Sequence, residues 1–249
     1  MYFLVLIIGL CIGSFLNVCI YRIAKEESII FPGSHCTSCG HELKAYELVP
    51  VLSYIFLRGR CRKCKDKISI KYPLIEILNA ILYLLLFWKY GFGLNFVFYC
   101  LLFSLLMVIS AIDLESKYIY SSTTLVGVLL AIIYIAIGSY LGEVNILNNL
   151  LAGLIGYGII FLIVLLTGGM GSGDADIAGI CGLFIGIKGV LVTLFVAIIL
   201  GGIFASIALI LKFKNRKSEI AFGPYIAIGT FICIFMGEKL LLLYMNLYA

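Results

Sequence analysis

Charge is what this chain lacks most. Asp, Glu, Lys and Arg make up only 12% of its 249 residues, roughly half the share usual in a soluble domain. That scarcity argues against a soluble enzyme, a disordered tail, collagen and a nucleic-acid-binding domain. Histidine is nearly absent, with His35 and His41 its two occurrences, so a Ser-His-Asp nucleophile has little to draw on. There are only four aspartates: Asp66, Asp113, Asp174 and Asp176. What fills the space is apolar: 63% of the residues are hydrophobic and the mean hydropathy is +1.16.

The few charges are not spread evenly. Residues 22–73 hold 10 of the 18 Lys and Arg and 5 of the 13 Asp and Glu. The net charge of +5 therefore describes one block and gives no reason to expect a nucleic-acid partner. Outside that block lie apolar runs near 2–21, 74–88, 94–112, 122–138, 146–167, 177–187, 189–211 and 222–247. A bilayer core of ~30 Å needs about 20 residues at ~1.5 Å each. The expected fold is therefore an all-α polytopic membrane protein of about eight transmembrane segments with a small polar domain. Its divisions are a first segment at 1–21, the polar domain at 22–73 and a multi-helix membrane domain at 74–249. The sixth run is short, and leaves open one helix or two over 176–211. The first run has no basic residues before it and no small-residue cleavage site, which argues against a cleaved signal peptide.

Orientation follows from the distribution of cations. Loops 22–73, 113–121, 168–176 and 212–220 carry 10, 1, 0 and 4 Lys and Arg, against Lys89, Lys188 and Lys239 on the other side. The first set is expected to be cytoplasmic, with both termini outside.

Four of the nine cysteines form two pairs in the polar block, Cys36-x-x-Cys39 and Cys61-x-x-Cys64, 21 residues apart. Each pair can bring two thiolates to one ion, and two such knuckles make a closed four-sulfur zinc site. With no open position for water, that zinc would be structural, holding together a domain too small for a large apolar core. Two disulfides or free thiols are the competing reading. His35 and His41 flank the first knuckle and are expected to be exposed. The remaining cysteines lie in apolar runs, where they pack as small hydrophobes.

The aspartates carry the chemistry. Asp113 ends the third apolar segment, and Asp174 lies in Gly171-Ser172-Gly173-Asp174 before the sixth. On the expected topology both fall at cytoplasmic helix ends. A carboxylate beside hydrocarbon costs a few kcal/mol, so it usually has a function or a partner. Two carboxylates held together share a proton, and such a pair can activate water and protonate a leaving amine. Solvated, unpaired loop residues are the competing reading. Asp176 is the expected bystander. Glu76, just inside the second apolar segment, either snorkels to the surface or meets a substrate amine or a basic residue of the polar domain.

Several motifs together resemble one family, the bacterial type IV prepilin peptidases, or prepilin leader peptidase/N-methyltransferases. They are Gly13-Ser14-Phe15-Leu16-Asn17-Val18 with Tyr21-Arg22, the two cysteine knuckles, Leu57-Arg58-Gly59-Arg60-Cys61, Ser69-Ile70-Lys71-Tyr72-Pro73, Asp113, the GxGD of 171–174 and Phe222-Gly223-Pro224-Tyr225. The resemblance implies an intramembrane aspartic protease of the inner membrane, with Asp113 and Asp174 as its dyad. It implies that the enzyme cuts the short basic leader from type IV prepilins or pseudopilins. It also implies N-methylation of the new terminus with S-adenosylmethionine, for which Gly59 and Glu76 are the candidate residues. No glycine-rich strand-turn-helix signature supports a Rossmann-type cofactor site. The chain departs from the family at Asp176, where a Lys is common, and at Ile119-Tyr120, where Ile-Pro is common. A peptidase without methyl transfer, an ion-coupled transporter and a non-enzymatic zinc adaptor are the alternatives.

Overall fold

A computed structural model describes residues 1–168, 170–211 and 221–248. Among the described residues the regular structure is helical, with strand character confined to two isolated bridges and the polar module largely irregular. Eight α-helices follow in order: α1 Tyr2–Ile23, α2 Leu52–Phe56, α3 Lys71–Tyr90, α4 Leu94–Ser116, α5 Ser121–Tyr140, α6 Ile146–Thr167, α7 Ser172–Ile210 and α8 Gly223–Tyr248. Each expected apolar run lies within one of these helices or within two residues of its ends. Among the described residues, six helices are long and apolar enough to cross a membrane, and 223–237 adds a shorter apolar run.

The sixth and seventh runs form one element with a break. Unbroken, the 39 residues of α7 would reach about 58 Å, about twice the hydrocarbon thickness. Gly186 interrupts it at φ 72, ψ 177, a backbone region that is essentially glycine-only. The backbone carbonyl of Leu183 meets the Asn149 side chain from α6, which donates to it at 2.8 Å. In a membrane such an internal partner replaces the water that is missing.

The chain forms two compact units, Met1–Ser104 and Leu105–Ala249. Composition separates 22–73 from everything else, whereas contacts group that polar block with α1, α3 and the first part of α4. In the first unit α1 packs along α3. Gly9 and Gly13, four residues apart, make the approach possible: a Cβ on either would lie 2.7 Å from the Cα of Ala80 or Glu76. Such small residues let membrane helices pack backbone to backbone. Asn79 donates to the Gly9 carbonyl at 2.8 Å, and Ser104 donates to Asn79, so the apolar seam has an internal polar thread. In the second unit α6 and α8 pack on α7, and α5 joins them. The 212–220 loop, with four of the cations that set the expected orientation, lies outside the described residues.

Candidate functional site

The two cysteine knuckles have nearly the same backbone. In the first, Cys36 N–H bonds the His41 carbonyl and Gly40 N–H bonds the Cys36 carbonyl, both at 2.9 Å. In the second, Cys61 N–H bonds Asp66 at 2.8 Å and Lys65 N–H bonds Cys61 at 3.0 Å. Bridges His35–Glu42 and Arg60–Lys67 close the two loops. The residue after each second cysteine has a left-handed backbone, Gly40 at φ 68 and Lys65 at φ 63. Ser38 of the first knuckle donates to the Asp66 carboxylate of the second, which also accepts from Lys67 N–H at 2.8 Å.

These turns aim all four sulfurs inward, within 4.8 Å of one another. Cys36 Sγ is 3.8 Å from Cys64 Sγ, and Cys39 Sγ is 4.0 Å from Cys61 Sγ. That is far beyond a disulfide bond. A tetrahedron with Zn–S of ~2.3 Å has edges of about 3.8 Å, so the donor set fits zinc in both chemistry and spacing. Backbone N–H groups of Cys64 and Lys63 draw the Cys61 thiol down, while Cys64, against a pull from the Asp66 N–H, is pushed up by burial and the three neighbouring sulfurs, so the four crowded thiols share their protons unequally. His41 is half-buried, not exposed, with Nε2 3.4 Å from Glu47 Oε2. The Lys44 backbone N–H, at 2.9 Å from Glu47 Oε2, holds that carboxyl below its ordinary range.

A cavity of about 370 Å³ opens in the first unit, with Ser14, Asn17, Tyr21, Tyr54, Tyr72 and Glu76 on its wall. Glu76 does not snorkel outward. It is buried, and its Oε2 accepts from the Val51 N–H at 2.7 Å and its carboxyl from Ser14. Gly59 does not line the cavity. With φ +65 it closes the turn after α2, and a Cβ there would meet the Tyr54 ring at 2.9 Å.

Asp113 and Asp174 lie in the second unit, each 3% exposed. Asp113 stands three residues before the end of α4, and Asp174 in the first turn of α7. The motif around Asp174 has a local logic. Gly171 precedes the helix, and its N–H donates to Asp174 Oδ2 at 3.2 Å, an acidic side chain folding back on the helix start. A Cβ on Gly173 would lie 2.7 Å from Ile119 Cβ, so this glycine lets the α4–α5 connection press on the first turn of α7. Asp113 Oδ2 accepts from the Gly223 N–H, at the start of α8, at 2.9 Å. Gly223 also faces Ile177, one turn beyond Asp174. The starts of two helices and the end of a third thus converge around Gly223. Asp174 Oδ1 is buried without a hydrogen-bond partner. Asp176 lies apart, half-buried at a cavity of about 700 Å³ between α5, α6 and α7.

Gly223 is the site residue that sequence reasoning left without a role. Its signal was the Phe-Gly-Pro-Tyr motif, in which Pro224 favours a helix start while Gly223 leaves room for a carboxylate.

Two family models match the chain. Residues 7–90 match the bacterial peptidase A24 N-terminal domain, and residues 100–206 match the type IV leader peptidase family. Two similar proteins are each named prepilin leader peptidase/N-methyltransferase. The one from Pseudomonas putida is 30% identical, over 96% of this chain and 92% of its own length. The one from Neisseria gonorrhoeae is 32% identical, over 91% of this chain and 87% of its own. No solved structure matches.

Proposed function

Since the chain belongs to the type IV leader peptidase family, we propose that it is a membrane aspartic endopeptidase that cleaves the basic leader of type IV prepilins or pseudopilins. The observation that supports this reading is a pair of buried carboxyls, Asp113 bonded to the Gly223 N–H and Asp174 one turn from the Ile177 that Gly223 faces, with Asp174 Oδ1 left unbonded. The two carboxyls hold one proton between them. The ionised member takes a proton from water as its oxygen attacks the scissile carbonyl. The protonated member hydrogen-bonds the carbonyl oxygen, and a proton passes to the departing nitrogen as the C–N bond breaks. Gly223 and Gly171 each fix one carboxylate oxygen through a backbone N–H, leaving the other for water or substrate. The cation distribution of the loops puts this chemistry at the cytoplasmic face of the inner membrane, where the basic leader lies.

The same chain N-methylates the exposed terminus, as the names of its relatives indicate for those proteins. The cavity beside Glu76 has the size of a small-molecule site and carries hydroxyl, amide and carboxyl groups on Ser14, Asn17, Tyr21, Tyr54, Tyr72 and Glu76, a donor and acceptor set suited to the amine, carboxylate and ribose groups of S-adenosylmethionine. When bound, that cofactor supplies an electrophilic methyl carbon. Glu76 orients the substrate amine and takes the proton the amine gives up. Structural zinc on Cys36, Cys39, Cys61 and Cys64 keeps the cavity wall in place, and Gly59 serves there as the turn before Cys61.

The test is processing of a prepilin in membranes by Asp113→Asn and Asp174→Asn. Loss of about 10²–10⁴-fold or more is expected, with folding and metal content unchanged. Normal cleavage by either variant removes that carboxylate from the mechanism. Glu76→Gln should cleave normally while transferring at least about tenfold less labelled methyl.

A further inference from the structure

Among the large apolar side chains that the polar module between α1 and α3 leaves exposed, those at two places are the most open. One is the tip of the 28–33 loop, where Ile30 and Phe31 are each 76% exposed. The other is α2, where Leu52, Ile55 and Phe56 are 53%, 61% and 82% exposed. Single exposed apolar residues are ordinary. Here the exposed groups sit on segments tied to the ends of membrane-length helices.

Arg22, buried in the last turn of α1, donates to the carbonyls of Ser28, Ile29, Pro32 and Gly33 at 2.6–3.1 Å. These acceptors flank the Ile30–Phe31 tip on both sides, so the loop hangs from the helix end. The second tether is Glu76, in the second turn of α3, which holds the Val51 N–H at 2.7 Å. Val51 takes φ 61, a conformation that a β-branched residue avoids, and α2 begins at the next residue. Both segments are thereby fixed at the level where α1 and α3 meet the polar module. Exposed Arg58 stands just after α2, whereas the charges nearest the loop tip are the exposed Glu26 and Glu27, with Lys25 before them.

We propose that Ile30–Phe31 and α2 are interfacial anchors, seated in the headgroup–acyl boundary of the bilayer that α1 and α3 cross. The inference rests on reading α1 and α3 as membrane-spanning. Lipid is the occupant because both tethers come from helices that the bilayer already surrounds. The large apolar side chains of α2 beside the exposed Arg58 are also what an interfacial segment presents. The polar module is then partly monotopic, and the wall of the Glu76 cavity has a fixed height relative to the membrane.

The experiment uses the full chain in vesicles of phosphatidylcholine and phosphatidylglycerol, with and without lipids brominated near the headgroup. Tryptophan is introduced singly by Phe31→Trp or Phe56→Trp in a Trp88→Phe background. The unchanged chain, with Trp88 in the last turn of α3, reports whether that helix lies in the bilayer. A seat about 5–10 Å deep predicts roughly twofold or greater loss of emission with shallow bromines and weak quenching by aqueous iodide. Strong iodide quenching without bromolipid quenching at both introduced indoles, while Trp88 is bromolipid-quenched, overturns the anchors and leaves the spanning helices intact. An unquenched Trp88 overturns the spanning reading and the anchors with it. Shielding from iodide that appears only when a prepilin is added makes the tips a protein-docking surface, and also overturns the proposal.

Discussion

Cys36 and Cys39 are three positions apart, and Cys61 and Cys64 repeat that spacing, whereas Asp113, Asp174 and Gly223 are separated by 61 and 49 positions. The sulfur site belongs to Met1–Ser104 and the carboxylate site to Leu105–Ala249. In the first, short backbone turns do the aiming, and each knuckle would form much the same loop wherever it was placed. In the second, Asp174 has a local partner in Gly171, but helix termini far apart in sequence must arrive together before Asp113 has its own. A site built from turns depends on its ligand for stability, and a site built from helix packing depends on the spaces left between helices.

The sharpest way to break this comparison is to remove the metal. Chelation should take on the order of 10 kcal/mol of coupled folding free energy from the four-cysteine module. Amide exchange should then rise across 34–68 while protection in α5 to α8 persists. Equal loss in both units would show that the sulfur site supports more than its own module. Next in size is Gly223→Ala, whose methyl would stand 2.9 Å from Asp113 Oδ2. Displacing that carboxylate should lower prepilin cleavage about a hundredfold, with metal content unchanged.

Smaller effects test the packing of the first unit. Gly13→Ala puts a methyl 2.7 Å from the Glu76 Cα, and should cost about 1–3 kcal/mol of stability, read as a lower melting temperature in detergent. Smallest is Glu47→Gln. Because the folded state holds the Glu47 carboxyl below its ordinary value, its contribution is fully present above the unfolded pKa. It is lost as pH falls through the lowered folded value. The wild-type advantage over the variant, measured by thermal melts, should therefore hold above about pH 5 and shrink as the pH falls below the ordinary Glu value of about 4.3.

Helix positions were largely legible because apolar runs of membrane length have few other uses. The sulfur site was legible because paired Cys-x-x-Cys spacing dictates its own turn. Asp113 and Asp174 were identifiable as unusual from their apolar surroundings and their motifs, but spacing along the chain says nothing about their meeting. Three features stayed hidden for one reason. The Gly223 N–H, the Val51 N–H and the Asn149 side chain act through or upon the backbone of distant segments, and a backbone partner leaves no trace in residue type. The grouping of 22–73 with α1 and α3 was hidden likewise, since Gly9 and Gly13 reveal a helix contact without naming the other helix.

Gly186 extends the point beyond the chemistry. Any side chain there would need both a forbidden backbone angle and the space taken by Asn148. A saturation survey scored by growth or pilus display should therefore rank this position among the least tolerant in the chain, though it lies twelve residues past Asp174 and touches neither carboxylate. Ranking sites by distance from the reacting atoms would overlook it.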